Sequence, residues 1–115
     1  MQIEVKTEGK VLVVIPRHSR IDASVSTEFK GMMVDLINQG NTLIVLNLSD
    51  VDFIDSSGLG VMVSSLKTID GEGDLALCCV RDTVMKLFNL TRMNRVFQIF
   101  PAEHDAVQAL NEKYA

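Results

Sequence analysis

A chain of 115 residues, 47% apolar and 23% charged, is long enough for one packed core and too short for two, and its composition marks it as neither disordered nor metal-dependent. Its net charge of -4, with no Arg/Lys stripe or aromatic platform, argues against direct nucleic-acid binding and against an anionic membrane surface. The two cysteines are adjacent, so no disulfide framework exists; there is no basic-then-apolar leader and no run of about 20 apolar residues, which points to a cytoplasmic protein without membrane insertion.

In chain order, Ile3, Val5 and Thr7 alternate with Gln2, Glu4 and Lys6, the pattern of an edge strand with one wet face. Glu8-Gly9-Lys10 supplies a turn and residues 11–15 a second, more buried strand, so the two predict a hairpin that Pro16 ends. Arg17-His18-Ser19-Arg20 then crosses to a helix whose apolar face is Val25, Phe29, Met32, Met33 and Leu36, with Asp22 and Ser24 placed to cap it. Asn38-Gln39-Gly40-Asn41 stops that helix through residue types that tolerate left-handed backbone.

Leu43-Ile44-Val45-Leu46 is continuously apolar, as expected of a central strand covered on both faces. Past Asp50 and Asp52, the three-and-four spacing of Leu59, Met62, Val63, Leu66 and Ile69 predicts a helix with one apolar stripe. Asp70-Gly71-Glu72-Gly73-Asp74 reads as a turn, residues 75–80 as a strand, and a short helix from about Asp82 turns Val84, Leu87 and Phe88 inward. Residues 89–94 read as a loop and 96–100 as the last strand. Pro101 opens a terminal helix with the stripe Ala102, Ala106, Val107 and Leu110. The order is ββαβαβαβα. Right-handed crossovers make the last three strands parallel, giving an α/β fold with a mixed, mostly parallel sheet flanked by helices.

Between the central strand and its helix stands Asp55-Ser56-Ser57-Gly58-Leu59-Gly60. Partners of open α/β sheets meet the carboxyl ends of strands, and Asp22, which follows another strand, reaches the same rim. Asp55, Ser56 and Ser57 can simply cap the helix while the glycines permit close packing. Alternatively, two hydroxyls and two glycines form a low polar surface whose serine another protein's active site can modify.

Catalysis by the chain itself fits poorly. The G-x-S-x-G elbow lacks its first glycine, and the only histidines, His18 and His104, are not tied by spacing to the junction. Asp50, Asp52 and Asp55 resemble only the start of a calcium loop, without its later glutamate. Gly58-Leu59-Gly60 is followed by no third glycine at dinucleotide spacing, and Cys78-Cys79 lacks the two-residue separation of a thiol-exchange motif. Met32, Met33 and Met62 read as core filling.

Asn47-Leu48-Ser49-Asp50-Val51-Asp52-Phe53-Ile54-Asp55-Ser56-Ser57-Gly58-Leu59-Gly60 resembles the signature of the STAS domain, in its bacterial anti-sigma factor antagonist branch. The opening hairpin, Ile21-Asp22, the Leu87-Phe88 helix end and the final strand-helix unit fall in that family's order, so the resemblance covers nearly the whole chain and implies one antagonist domain over residues 1–115. It implies that Ser56 is phosphorylated by a serine kinase that is also an anti-sigma factor. The unphosphorylated protein would bind the kinase and liberate a sigma factor, and a metal-dependent serine phosphatase would restore the serine. The implied partner surface is Asp22, Asp55, Ser56, Ser57, Gly58 and Leu59, with no catalytic residue, metal or cofactor. Two places depart from the family pattern: Ser19-Arg20 stands before Ile21-Asp22 where a glycine and an acid are common, and Arg92 where a small residue is common. Arg20, with Arg17 and His18 nearby, can tune a kinase interface or sense the phosphate. The alternative readings are a constitutive accessory or assembly module of the same fold without a phosphoswitch and, from the enzyme class, a small hydrolase with Ser56 as nucleophile.

Overall fold

The computed structural model describes residues 1–69 and 71–115. The hairpin forms as expected: β1 (Ile3–Glu8) pairs antiparallel with β2 (Val11–Pro16) across a two-residue turn in which Gly9 takes φ +65°, backbone that only a residue without Cβ adopts freely. The other elements are β3 (Arg20–Ile21), α1 (Ser26–Asn38), β4 (Leu43–Asn47), β5 (Phe53–Ile54), α2 (Ser56–Ile69), β6 (Asp74–Cys78), α3 (Asp82–Thr91), β7 (Ile99–Phe100) and α4 (Glu103–Lys113). The main sheet runs β1-β2-β4-β6-β7, parallel throughout except for the hairpin, and β3 and β5 form a separate parallel pair.

Alternate side chains of the buried strands feed two cores. On one face Leu12, Val14, Ile44, Leu46, Leu75 and Leu77 meet Phe29 and Met33 of α1, Val61 and Met62 of α2, and Val84 and Phe88 of α3. On the other, Val11, Val13, Val45, Ala76 and Cys78 meet Ala106, Val107 and Leu110 of α4. Burial pushes the Cys78 thiol well above its ordinary range.

Several boundaries and faces differ from expectation. The buried face of α1 is Phe29, Met33 and Ile37, with Met32 and Leu36 only half-buried, and Val25, at the N-cap position, leaves α1 without a side-chain cap. In α2 the buried line is Gly58, Val61, Met62, Ser65 and Ile69, while Leu59, Val63 and Leu66 are half-buried; Ser65 fits inside because its hydroxyl donates to the Val61 carbonyl at 2.8 Å. β6 stops at Cys78 because Cys79 turns left-handed, φ 58°, so Val80 is outside it. α3 continues through Thr91, and a 3-10 turn over Met93–Arg95 replaces much of the expected loop. β7 is Ile99–Phe100 alone, and Ala102 is exposed, two residues on from the point where β7 ends. Asp70, in the expected 70–74 turn, lies outside the described residues. α3 closes on Arg92 at φ 61°, ψ 23°, a position glycine usually takes and where a side chain costs on the order of 1 kcal/mol.

Two polar devices join α4 to the sheet. Asn111 accepts from the Lys10 backbone N–H at 2.9 Å and donates to the Glu8 carbonyl at 3.1 Å, closing the hairpin turn. Glu103 meets Lys6 at 2.7 Å and accepts from the Asn47 amide at 2.9 Å, while Asn47 Oδ1 accepts from the Ser49 N–H. Burial pushes the Glu103 carboxyl up, but the hydrogen bonds from Lys6 and Asn47 outweigh it and hold it below its ordinary range; the bond to Glu103 raises Lys6.

Gly58 is the tightest point between the β3–β5 pair and α2. A Cβ there would strike the Ile21 carbonyl oxygen and come within 2.9 Å of Ile54 Cγ2, whereas a Cβ on Gly60 would meet nothing within 4 Å.

Two measurements follow from this packing. Gly58→Ala is expected to lower stability by about 2 kcal/mol and Tm by roughly 8 °C, and Gly60→Ala to be neutral or stabilising by up to about 1 kcal/mol; equal melting curves for the two variants would contradict the contact. The folded-state value of Glu103 lies below its unfolded value, so its contribution is present above about pH 4.3 and is lost as pH falls through the lowered value; that of Lys6, raised in the fold, is lost only as pH rises beyond about 10.4. Urea midpoints measured from acid to neutral pH should therefore show a shallower acid limb in Glu103→Gln than in the wild type.

Candidate functional site

The loop between β4 and β5 is anchored by Leu48 and Val51, both fully buried, so Asp50 and Asp52 between and after them face solvent. Leu48 N–H donates to the Cys78 carbonyl at 3.0 Å, fixing the loop's start on β6. On α3's side, Arg81 Nε donates to the Ser49 carbonyl at 2.9 Å and the Thr83 hydroxyl to the Asp52 carbonyl at 3.0 Å. The chain then runs as β5 beside β3, with Arg20 opposite Phe53 and Ile21 opposite Ile54. Ile21 and Ile54 go inward; the Arg20 guanidinium lies 4.0 Å from the centroid of the Phe53 ring, which stays 38% exposed.

The junction turns on Asp55. Its Oδ1 accepts from the N–H groups of Ser57 at 2.9 Å and Gly58 at 3.1 Å, capping α2, while Oδ2 accepts from the Ala23 N–H at 3.1 Å. One carboxylate thus binds the helix start to the β3–α1 loop. Capping falls to Asp55 alone: Ser56 is the first helical residue, exposed, and among the described residues nothing hydrogen-bonds its hydroxyl. Ser57 is half-buried and lines a shallow groove of about 250 Å³ between α1 and α2 with Thr27, Lys30 and Ser64.

Asp22 lies in the loop that Asp55 holds. Its carboxylate accepts from the Ser24 N–H at 3.0 Å and the Ser24 hydroxyl, and pairs with Arg20 Nε at 3.3 Å. The Ser24 hydroxyl, with the Ser24 backbone and Arg20 behind it, holds Asp22 below the ordinary carboxylate range. Asp22 and Ser24 therefore organise the turn ahead of α1 and do not cap the helix itself.

The expected site residues thus divide. Asp22, Asp55, Ser56 and Ser57 are brought to one rim; Gly58 is buried under the Ile21 carbonyl, and Leu59 is half-buried against the core. Asp50 is turned away to Arg17 at 3.2 Å, and Asp55 is engaged by backbone N–H groups, so the three aspartates do not converge as ion ligands would. His18 is in the β2–β3 loop and His104 on α4, across the sheet from α2. The stacking of Arg20 on Phe53 and the β3–β5 ladder were not anticipated. The signal for the ladder is the repeated Ile-Asp in Arg20-Ile21-Asp22 and Phe53-Ile54-Asp55.

No helix among the described residues is long and apolar enough to cross a membrane. Residues 2–106 match the model of the STAS domain. The chain is 33% identical over 114 residues to the anti-sigma F factor antagonist of Paenibacillus polymyxa, covering 97% of this chain and 94% of that one. A Thermotoga maritima protein provisionally named an anti-sigma factor antagonist is 34% identical over 85 residues, 73% of this chain and 75% of that one. The crystal structure of a Thermotoga maritima protein so named superposes with a TM-score of 0.88 at 30% identity, covering 94% and 93% of the two chains. Signature, sheet order and strand-to-helix junction agree with these likenesses: the chain belongs to the STAS domain family.

Proposed function

We propose that the whole chain acts as a phosphorylation-switched antagonist. With Ser56 unmodified it binds an anti-sigma factor serine kinase and so frees a sigma factor; the kinase phosphorylates Ser56, binding weakens, and a metal-dependent serine phosphatase restores it. The kinase needs ATP, which makes the cytoplasm its place of action. The observation that carries the reading is the Ser56 hydroxyl, exposed and unpartnered among the described residues at the first turn of α2, because Asp55 and not the serine caps the helix. The antagonist names of the relatives support the class of partner.

The interface consists of Ser56 with Asp22, Ser57 and Leu59, while Asp55 and Gly58 set the spacing between the β3–α1 loop and α2. Phosphorylation adds about -1.5 to -2 charge. The N–H groups of Ser57 and Gly58, which would otherwise receive an anion at the helix start, are already taken by Asp55. The phosphate therefore stays on the surface, on the rim that carries Asp22, leaving the fold intact and obstructing a partner fitted to the bare serine. A binding module suits this geometry better than a hydrolase, since a serine nucleophile requires a base within hydrogen-bond reach.

The test is to incubate the protein with its cognate kinase and ATP, map the phosphosite and compare affinities. Phosphorylation at Ser56 should weaken kinase binding by at least about tenfold, equivalent to about 1.4 kcal/mol. Ser56→Ala should block modification and retain binding, and Ser56→Asp, itself a good residue at a helix start, should remain folded with reduced affinity. Phosphate mapped elsewhere, or equal affinity for modified and unmodified protein, would refute the switch; the second result would favour a constitutive assembly module.

A further inference from the structure

The 15 acidic residues are spread along the chain, yet residues 83–102 contain none, while Lys86, Arg92 and Arg95 fall within them. Among the described residues none of these three cations has an ion-pair partner, as is also true of Lys10, Lys30, Lys67 and Arg81; what sets the stretch apart is that no carboxylate lies within it. This stretch frames a groove of about 560 Å³ between α3 and the segment leading into β7. Met85, Val96 and Ile99 supply apolar lining; Asn89, Asn94 and Gln98 supply amides; Arg95 supplies charge. Leu90 on α3 and Val96 on the groove's wall are 83% and 46% exposed. β7 is an edge strand of the main sheet, with β6 as its only neighbour there.

Arg92 provides an independent observation. It precedes the turn that carries Arg95 and occupies the left-handed position where glycine is favoured, so a cation sits where the backbone would be more relaxed without a side chain.

We propose that this groove binds an extended, acidic segment of a partner protein, with apolar side chains seated against Met85 and Val96, carboxylates on Arg95 and Arg92, and the peptide backbone hydrogen-bonded by the amides beside β7. Charge complementarity selects the occupant: unpaired cations on an otherwise acidic molecule attract an acidic segment and repel a basic one. Three cations are too few for a nucleic-acid track, and the alternation of apolar and amide side chains suits a peptide better than a headgroup layer. The site is separate from Ser56: the groove is lined by α3 and the segment into β7 and includes none of Asp22, Asp55, Ser56 and Ser57.

The experiment selects a random short-peptide phage library on the full-length protein, with single-stranded RNA and vesicles of phosphatidylcholine and phosphatidylglycerol tested in parallel. Recovered peptides should be rich in Asp and Glu interspersed with apolar residues, and should shift the NMR signals of Met85, Asn89 and residues 94–99. The affinity of the best synthetic peptide should fall by about tenfold or more in Arg95→Glu and should weaken with added salt. Arg92→Gly separates binding from folding: Tm should hold or rise as the left-handed strain is relieved, while peptide affinity drops. Recovery of peptides without acidic enrichment, shifts mapped elsewhere, or unchanged affinity in Arg92→Gly would overturn the proposal. So would binding of the RNA or vesicles, lost in these variants, with no acidic peptide recovered.

Discussion

The Asp55 carboxylate is engaged by three backbone N–H groups belonging to two segments that are distant in sequence. Capping alone would need only the two on α2. The third, from Ala23, makes the carboxylate a tie between the β3–α1 loop and the helix start, and the position of Asp22 relative to Ser56 follows from it. Gly58 sets how close the two segments come, because the Ile21 carbonyl occupies the space a side chain would need. Serine is thereby relieved of structural duty at Ser56. A hydroxyl committed to capping would be hidden from another protein and would lose its acceptor role on modification; a hydroxyl beside a dedicated cap is available without cost to the helix.

Much of this was legible in the residues. Continuous apolar runs at 11–15 and 43–46 read correctly as buried strands because a parallel sheet with helices on both faces leaves no wet side to enforce alternation. The resemblance carried by the junction agreed with the family match over residues 2–106. What was missed has a common physical origin in short or sequence-distant pairing. A two-residue ladder such as β3 with β5 has no periodicity to detect, and the strand limits at Cys78 and Ile99 are set by the left-handed turn at Cys79 and by pairing with β6. Ser65 was overlooked on α2 because a hydroxyl looks polar in sequence but is internally satisfied on a helix. Lys6, Asn47 and Glu103 were unremarkable apart; only the sheet's crossover brings them together.

The two faces of the sheet carry different burdens. α1, α2 and α3 share one core, so the helix starts and loops that frame Ser56 rest on a common apolar bed of Phe29, Met33, Met62 and Phe88. α4 covers the other face alone, with small residues, Ala106 and Val107, against Ala76 and Val45. Close approach on that side is supplemented by polar ties at both ends of α4, from Glu103 to Lys6 and Asn47 and from Asn111 to the hairpin turn. Surface chemistry near Ser56 can therefore change without touching the residues that fasten the last helix.

The Asn111 tie has a consequence for the order in which the chain acquires its structure. The hairpin leaves a ribosome well before α4 does, and its pairing is local, but the two side-chain hydrogen bonds across its turn come from a residue 101 and 103 positions further on. During synthesis the strands can meet early, yet the turn is completed only when α4 has emerged and docked. The hairpin's last bonds thus report the arrival of the C-terminal helix, and until then the apolar face of β2 and β4 that α4 covers is open to whatever else is near.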